Sequence, residues 1–322
     1  MVMKIVVTGS EGSLMQAVIP RLLAQGHAVL GIDNLYRYGK KSQRAGIDYE
    51  FIQQDLIDRE RVFELTRGAN VVIHAAAKLY GVLGLLNYRA DILGDDTAIC
   101  SNVLQACVVN KIPHIVYMSS SMVYDSCIQD INVPLIETMT DSCPLPNTDY
   151  GLSKLVCERM VEAFRQQHGI SYTVWRPFNI VSPHEQSMTE IGYSHVLPDF
   201  VNHIVIKKLN PLPIIGNGEQ IRCFTWIDDV ADIIANCSFL PTSRNQIFNV
   251  CNVEPITMKT VAKLIYQEIY GTSDNLKFIT STNYIHDVKI RIPSIEKLQT
   301  MLGPFEFVKV KESVKRCIQE LL

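Results

Sequence analysis

The chain has 322 residues, a hydrophobic share of 47% and a formal net charge of −3 at pH 7, which is enough apolar material for one large α/β domain with a smaller lobe. It has no basic stripe or Lys/Arg run, which argues against nucleic acid and anionic membranes as partners. No apolar run approaches the roughly 18 residues of a membrane span. The N-terminal MVMKIVVTGS enters an apolar strand without a signal-peptide layout, so we expect a cytoplasmic protein.

Short apolar runs alternate with helical segments through the first half of the chain. The predicted strands are Lys4–Thr8, Ala28–Asp33, Tyr49–Gln53, Val71–His74 and Ile115–Ser119. The helices predicted between them are Ser13–Gln25, Arg59–Thr66 and one within Asp91–Asn110. Apolar runs bounded by polar turns are typical of strands that are buried on both faces. We therefore predict an α/β fold with a Rossmann-like, doubly wound parallel sheet.

The second half is less regular and contains several prolines. Its predicted helices are Asp149–Gln167, Asp228–Phe239, Met258–Tyr270 and Val310–Leu321, and its predicted strands are Tyr172–Trp175 and Ile221–Thr225. No repeat or low-complexity linker separates this half from the first. We therefore divide the chain into a sheet domain over residues 1–176 and a smaller C-terminal lobe over 177–322, with the chain free to cross back to the sheet.

Cysteine usage indicates buried thiols and no structural framework. The chain has nine Cys, an odd number, and no C-x-x-C pair. Disulfide-stapled domains and structural zinc sites depend on regular cysteine spacing, so we expect neither. We predict small buried thiols in a reducing compartment and no metal site.

A glycine-containing turn, TGSEGSLM, follows the first predicted strand and opens the first predicted helix. Gly9 and Gly12 permit a tight turn and a close approach of the backbone to a pyrophosphate, and the helix N-terminus offers free N–H groups to that anion. We therefore predict a dinucleotide site here. Asp33 ends the second strand about 20 residues later, where a carboxylate accepts the ribose hydroxyls of NAD and repels the additional phosphate of NADP.

Tyr150 and Lys154 are spaced i and i+4, which places both on one face of the helix predicted over Asp149–Gln167. A phenol is too weak an acid to act as a base near pH 7 unless a neighbouring positive charge favours the phenolate. The fifth predicted strand ends in MSSSMVY, and a Ser at the carboxyl end of a central parallel strand faces the crevice where ligands bind. The three residue types together predict a catalytic site.

The chain resembles the extended short-chain dehydrogenase/reductase family, in particular its NAD-dependent epimerase/dehydratase group. The resemblance runs through nearly the whole chain, in the motifs TGSEGSLM, IDNL, HAAAK, SSSMVY, YGLSK, RPFN and GNGEQIRCFTWIDDVA. It implies NAD as the cofactor, a nucleotide-diphosphate sugar as the substrate, and a C-terminal lobe that binds this substrate. It also implies a homodimer formed through the helices near Thr97–Asn110 and Asp149–Gln167.

The resemblance also assigns site residues. Ser120 matches the catalytic Ser because it precedes Tyr124 by four positions; Tyr150 would remove a proton from a sugar hydroxyl, and Lys154 would hold the nicotinamide ribose and lower the pKa of Tyr150. The implied cofactor-binding residues are Gly9, Gly12, Ser13, Leu14, Asp33, Asn34, Asp55, Leu56, Ala75, Ala76, Lys78, Tyr150 and Lys154. The residues implied to bind the substrate are Tyr80, Ser121, Met122, Asn179, His184, His195, Val196 and the two diphosphate clamps Arg222 and Arg291.

The two positions after Ser120 favour one reaction of this family. The family's 4,6-dehydratases carry acidic groups there, because elimination of water needs an additional acid and base, whereas this chain has Ser121 and Met122. A 4-epimerase oxidises the sugar to a ketone, lets it rotate and returns the hydride to the other face. Ser120, Tyr150 and Lys154 suffice for that reaction, so we expect a 4-epimerase of an NDP-hexose and hold a dehydratase as an alternative.

A second resemblance keeps another reaction open. The segments AAAKLYG, Pro183-His184 and SHVLP are similar to the GDP-sugar 3,5-epimerase and 4-reductase branch, where a Cys and a His move protons at the sugar carbons. His184 matches the His position, but Met122 stands at the Cys position and cannot carry a proton. Asp33 also fits NAD better than the NADPH of the reductases.

Three departures from the family pattern leave room for other kinds of protein. Met15 stands at the third glycine position of the phosphate turn, where it could push the helix outward. Val181-Ser182-Pro183 replaces the usual Tyr-Gly-Pro, and Ser294 replaces an Asp. The alternatives are a reductase or dehydrogenase that releases its cofactor after each turnover, and a catalytically degenerate protein that binds NAD or a sugar nucleotide.

Overall fold

The computed structural model describes residues 2–37, 49–125, 133–185, 193–281 and 288–321. At its centre is a parallel sheet whose strands, in spatial order, are β3 (Glu50–Gln53), β2 (Ala28–Asp33), β1 (Lys4–Thr8), β4 (Val71–His74), β5 (His114–Met118), β6 (Ser171–Pro177) and β11 (Gln246–Val250). The strand order reverses its direction of growth between β1 and β4, as in a doubly wound sheet. The predicted α/β fold is therefore confirmed.

Strand β1 illustrates why the sheet needs cover on both faces. Ile5, Val6 and Val7 are all 0% exposed. Successive side chains of a strand point to opposite faces, so Ile5 and Val7 belong to one hydrophobic core and Val6 belongs to the other. A strand without a polar face can exist only between two helical layers.

Helices supply these two layers. One face carries α1 (Ser13–Ala24) and α7 (Ile227–Cys237), which pack against each other, and the other carries α2 (Arg59–Leu65), α4 (Arg89–Val109) and α5 (Asp149–His168). The short helix α3 (Val82–Asn87) precedes α4. Local signals fix the ends of α5, because Thr148 Oγ1 accepts a hydrogen bond from the Gly151 N–H and Gly169 ends the helix with a φ of 75°.

The C-terminal half forms a smaller lobe and also returns to the sheet. Its short strands form the pairs β7 (Ile180–Val181) with β10 (Thr225–Trp226) and β8 (Leu212–Ile214) with β13 (Phe278–Thr280), and the triplet β12 (Pro255–Thr257), β9 (Ile221–Cys223) and β14 (Ile290–Arg291). Its remaining helices are α6 (Val196–Val201), α8 (Met258–Tyr270), α9 (Glu296–Leu302) and α10 (Val310–Leu321). The predicted boundary between residues 176 and 177 falls inside β6, and β11 joins the sheet of the first half.

Some elements match the sequence prediction and others differ from it. The predicted helices Met258–Tyr270 and Val310–Leu321 match α8 and α10 residue for residue. The predicted strand Ile221–Thr225 is divided into β9 and β10, which pair with different partners. The sequence does not predict α3, α6, α9 or β11, because each of these elements is too short to show a clear hydrophobic period.

Helix α4 is long and apolar enough to cross a membrane by length and composition, in contrast to the expectation that no segment would reach that length. In the structure α4 packs against α2 and α5 in one of the two hydrophobic cores. A core helix of a soluble protein passes the same test, so this is weak support for a membrane span. The absence of a membrane partner, the cytoplasmic location and the homodimer stay predictions.

Most of the described cysteines are buried thiols. The free and buried ones are Cys100, Cys107, Cys157, Cys223, Cys237, Cys251 and Cys317. Cys143 is disulfide-bonded, which departs from the prediction of thiols alone. Cys127 lies outside the described residues. Within the described part of the chain, no group of three or more His, Cys, Asp or Glu side chains is arranged to hold a metal ion.

A buried ion pair joins α5 to β6. Arg176 Nη2 lies 2.5 Å from Glu158 Oε2, and the two side chains are only 1% and 3% exposed. Arg176 also donates to the Tyr124 hydroxyl at 2.6 Å, and the Ser119 hydroxyl donates to Glu158. Because Ser119 and Tyr124 flank Ser120, the ion pair also positions the segment at the end of β5.

Substituting Glu158 with Ala is expected to destabilise the fold, because it leaves the Arg176 guanidinium buried without its carboxylate. Breaking one partner of a buried pair costs about 3–5 kcal/mol, and we expect a loss of that size in the free energy of unfolding measured in urea. The control is Arg159→Ala, which removes exposed pairs with Asp141 and Glu162 and should cost less than about 1 kcal/mol. Equal losses in the two variants would contradict this role of the buried pair.

Candidate active site

The turn between β1 and α1 brings the backbone close to a neighbouring loop. Gly9 has a φ of 69°, a left-handed conformation that favours glycine. Its N–H donates to the Ile32 carbonyl at 2.8 Å, and a Cβ added to Gly9 would lie 2.7 Å from the backbone N and Cα of Ala76. Gly12 is the N-cap of α1 and provides no side-chain cap. The first turn of this helix therefore keeps N–H groups that suit an anion.

Met15, which replaces the family's third glycine, is accommodated inside the protein. It is 1% exposed and belongs to the same hydrophobic core as Ile5. Helix α1 still packs against α7, and the Gln16 N–H still bonds the Gly12 carbonyl at 3.1 Å. The methionine side chain thus fills core volume while the turn retains its hydrogen bonds.

Two carboxylates stand beyond the turn, at the carboxyl ends of β2 and β3. Asp33 accepts hydrogen bonds from the backbone N–H groups of Glu11 (3.1 Å) and Leu35 (2.8 Å), and burial raises the pKa of its carboxyl. Asp55 accepts a hydrogen bond from Asn34 Nδ2 at 3.0 Å. Both carboxylates line the cavity that the phosphate turn opens into, so they provide acceptors for hydroxyl groups.

The catalytic trio predicted from the sequence comes together at the end of β5. Tyr150 and Lys154 are 5% and 3% exposed, and the Lys154 ammonium lies 5.6 Å from the centroid of the Tyr150 ring. Lys154 Nζ donates to the Met118 carbonyl at 3.0 Å. Ser120, just after β5, lines the same cavity as the Tyr150 phenol and acts to lower the pKa of that phenol. This arrangement can pass a proton between a ligand hydroxyl and the phenol.

Two opposing effects act on the pKa of Tyr150, and the lowering effect predicted for Lys154 is one of them. Burial raises the pKa of the Tyr150 phenol, and although Lys154 acts to lower it, the net direction is upward. Burial also acts to lower the pKa of Lys154, but Tyr150 and Asp96 outweigh it and raise the pKa of that ammonium. Lys154 therefore stays charged, and its favourable effect on the phenolate is smaller than the cost of burying that phenolate.

Asp96, which the sequence did not single out, connects the two parts of the site. Its carboxylate accepts hydrogen bonds from the Lys78 backbone N–H at 2.8 Å and from the Ser153 hydroxyl at 3.2 Å. Burial raises the pKa of Asp96, while the charge of Lys154 acts against this rise. The Lys78 side chain pairs with Asp95 at 2.5 Å, so it is anchored to α4. Helix α4 contains three aspartates, so the sequence alone does not separate Asp96 from Asp91 and Asp95, and only the burial of Asp96 does so.

A second buried ion pair includes Arg291, one of the two predicted diphosphate clamps. Arg291 pairs with Asp125, whose side chain is 1% exposed and also accepts a hydrogen bond from Thr148 Oγ1 at 3.1 Å. Burial raises the pKa of Asp125, while Arg291 and Arg222 act to lower it. Arg291 Nε is buried and has no hydrogen-bond partner among the described residues. This part of the cavity therefore carries an arginine donor that a ligand oxygen could satisfy.

One cavity of about 680 Å³ contains nearly all of the predicted site residues. The predicted cofactor residues, the three catalytic residues and the predicted substrate residues line it together, with the exception of His184. His184 donates its backbone N–H to Ser182 Oγ at 3.1 Å, outside the cavity lining. The cavity also contains Asp96, Asp125 and Glu185, acids that the sequence did not predict.

The sequence of residues 5–251 matches the NAD-dependent epimerase/dehydratase family, and the chain belongs to this family of nucleotide-sugar enzymes. A UDP-N-acetyl-alpha-D-glucosaminuronate decarboxylase of Bacillus cytotoxicus is 24% identical over 319 residues, which cover 97% of this chain and 96% of that protein. A GDP-mannose 3,5-epimerase of Arabidopsis thaliana is 26% identical over 269 residues, covering 82% of this chain and 68% of that protein. The structure of a UDP-glucose 4-epimerase of Thermus thermophilus in complex with NAD aligns with a TM-score of 0.85, 22% identity and 99% coverage of both chains.

NAD is the cofactor of this family, and the residues present fit it. A Cβ at Gly9 would collide with the Ala76 backbone, so the turn is closely packed at this point. The N-terminus of α1 has no side-chain cap and suits a pyrophosphate. Asp33 would accept the adenosine ribose hydroxyls. Arg37, a few residues further on, forms an ion pair with Glu185.

Substituting Gly9 with Ala is expected to weaken NAD binding by at least about tenfold, because the new Cβ strains the left-handed backbone and collides with Ala76, and a 1.4 kcal/mol change gives this factor. Isothermal titration with NAD measures the change. The matched control is Gly94→Ala, since a Cβ at Gly94 meets no atom within 4 Å. If both variants bound NAD as the parent protein does, the close approach at Gly9 would have no role in the cofactor site.

Proposed function

We propose that the protein is an NAD-dependent 4-epimerase of a nucleotide-diphosphate hexose. The observation that carries the proposal is the position of Tyr150, which is buried, lines one cavity with Ser120 and lies next to the Lys154 ammonium. The same cavity contains the phosphate turn at Gly9. A sugar hydroxyl at Tyr150 would thus lie in the same chamber as the dinucleotide.

Bound NAD would supply a hydride acceptor for the sugar carbon and, in the reduced form, a hydride donor for the keto-sugar. Tyr150 takes the proton of the 4-hydroxyl, and Ser120 hydrogen-bonds both the hydroxyl and the phenol. The Lys154 ammonium favours the phenolate, whose formation burial opposes. When the hydride returns, the protonated Tyr150 gives its proton back to the new hydroxyl. These three residues are sufficient for both half-reactions.

The residues after Ser120 support epimerisation over dehydration. Ser121 and Met122 lie in the cavity at the positions where a 4,6-dehydratase would need an additional acid and base. The neutral hydroxyl and thioether side chains cannot supply either group near neutral pH. The residues at these two positions therefore favour return of the hydride over elimination of water.

The substrate class follows from the arginine side of the cavity and from the relatives. Arg222 and Arg291 line the same cavity as Tyr150, and guanidinium groups bind diphosphate oxygens through bidentate hydrogen bonds. In the chain, Asn179 comes after the catalytic residues and before the two arginines. Its Nδ2 donates to the Cys223 carbonyl at 2.9 Å. The relatives named for UDP-sugar and GDP-mannose substrates support a nucleotide-diphosphate sugar.

A panel of nucleotide sugars tests this proposal directly. We expect one UDP- or GDP-hexose to raise the melting temperature in the presence of NAD and to be converted to its C4 epimer without net NADH formation. Tyr150→Phe should bind NAD normally and lose roughly 100- to 10,000-fold in turnover, because the general base is removed. Tyr266→Phe, on α8 and outside the cavity, serves as the matched control.

Each contrary result in the panel points to a different protein. Net formation or consumption of NADH would identify a dehydrogenase or reductase. A protein that bound neither NAD nor any nucleotide sugar would be a degenerate scaffold. Turnover by Tyr150→Phe at the rate of the parent enzyme would reject Tyr150 as the base.

Substituting Asp96 with Asn is expected to shift the pH profile of turnover towards lower pH. The charge of Asp96 raises the pKa of Tyr150, so its removal lowers that pKa and the phenolate forms at lower pH. Turnover rises with pH as the phenolate forms, and the rising limb of kcat against pH measures the shift. Asp91→Asn, an exposed change on the same helix, should leave the profile in place. An unshifted Asp96→Asn profile would contradict this electrostatic coupling.

A further inference from the structure

One buried carboxylate contacts both the arginine side of the cavity and the catalytic helix. Asp125 follows the short helical turn Ser121–Tyr124, and its side chain is 1% exposed. One oxygen of its carboxylate pairs with Arg291 on β14. The other oxygen accepts a hydrogen bond from the Thr148 hydroxyl at 3.1 Å. Asp125 therefore joins a predicted diphosphate clamp to the residue that precedes α5.

The Thr148 end of this link reaches the peptide bond that follows Tyr150. Thr148 Oγ1 caps α5 by accepting a hydrogen bond from the Gly151 N–H at 3.1 Å, and that N–H belongs to the peptide bond between Tyr150 and Gly151. A Cβ added to Gly151 would lie 2.4 Å from the Met122 carbonyl oxygen, so this turn of the helix packs directly against the segment after β5. The position of Tyr150 thus depends on the Thr148 hydroxyl.

The Arg291 end of the link can accept an anion. Strand β14 pairs with β9 in a register that sets Arg291 beside Arg222, and both arginines act to lower the pKa of Asp125 against the effect of burial. One carboxylate beside two guanidiniums leaves a net positive charge, which favours an anionic ligand. Arg291 Nε is buried and has no hydrogen-bond partner within the described ranges of the chain. Both arginines line the cavity, so a phosphate oxygen can satisfy this donor.

We propose that Asp125 is a positioning residue through which a bound nucleoside diphosphate orders the first turn of α5 around Tyr150. This inference rests on the proposed function, which places the substrate diphosphate at Arg291. A phosphate oxygen on Nε holds the Arg291 guanidinium from a second side, and the guanidinium then restrains the carboxylate that Thr148 bonds. Restraint of one member of a hydrogen-bonded chain lowers the mobility of the next, so the ligand and the helix turn stabilise each other.

The hydrogen bond between Asp125 and Thr148 is expected to affect turnover more than substrate affinity. The nucleotide part of the substrate does not react, but its binding free energy is used to fix the phenol that removes the proton. The Asp125–Thr148 bond therefore contributes to kcat, whereas the arginine guanidiniums contribute to affinity. A variant that breaks the bond and retains both arginines separates the two contributions.

Amide hydrogen exchange of the NAD-loaded protein tests this link. UDP and, separately, GDP are the probes, because neither carries a sugar that could contact Tyr150. We expect a saturating nucleotide to slow exchange of the Gly151 amide by about fivefold or more in the parent protein. Asp125→Ala retains the helix cap and should lose this response. Arg291→Gln should lose it too, whereas Arg222→Gln, the matched change on the neighbouring strand, should bind the nucleotide more weakly and keep the response at saturation.

Steady-state kinetics separates this link from a purely structural role of Asp125. Asp125→Ala should lower kcat about tenfold and change KM for the nucleotide sugar little, because the lost charge is negative and the ligand is an anion. Arg222→Gln should mainly raise KM, since it removes a contact to the diphosphate. A folded Asp125→Ala enzyme with the kcat of the parent would contradict the positioning role.

Failure of the inference and failure of the proposed function give different results. Absence of the exchange response in the parent protein with both nucleotides, or an equal response in a folded Asp125→Ala, would overturn the inference. If Asp125→Ala does not fold, equal responses of the Arg291→Gln and Arg222→Gln variants would overturn it. A normal exchange response in a protein that oxidises no nucleotide sugar would reject the proposed function and leave the link in place.

Discussion

The buried ammonium of Lys154 is the constraint on which the rest of the site depends. An ammonium that is 3% exposed needs nearby compensation, since burying an unpaired charge costs several kcal/mol. The structure supplies it from three elements, namely the Met118 carbonyl at the end of β5, the Tyr150 ring one turn earlier on α5, and the Asp96 carboxylate on α4. These three contacts and the chemistry at Tyr150 therefore depend on the same buried charge.

The same compensation joins cofactor binding to catalysis. Asp96 faces Lys154 and Ser153 on α5 and also accepts the backbone N–H of Lys78, in the loop after β4 that carries Ala75 and Ala76. A displacement of that loop would therefore disturb the charge balance around Lys154. Met15 adds to the rigidity of this region from the other side, because its side chain packs into the core that supports β1. The departure of the phosphate turn from the family pattern is absorbed by packing.

The sequence was sufficient to predict the parts of the structure that are determined by local residue patterns. The turn at Gly9 lies between a strand and a helix, and Tyr150 and Lys154 share a helix face whatever surrounds them. The sequence did not predict contacts made only by tertiary packing. One example is the pair of Arg291 with Asp125, which are 166 residues apart in the chain. The upward pKa shift of Tyr150 was not predicted for the same reason, because burial is a property of the assembled fold and not of the motif.

The return of β11 to the sheet has a consequence for synthesis of the protein on the ribosome. Until Val250 has been translated and released from the exit tunnel, β6 has no neighbour on its outer side, although every residue of the catalytic trio is already present. An exposed parallel edge can pair with other nascent chains, and parallel pairing between distant segments is slow. Until β11 docks, the N-terminal half therefore exposes an unpaired parallel edge along β6, a feature that favours aggregation of nascent chains.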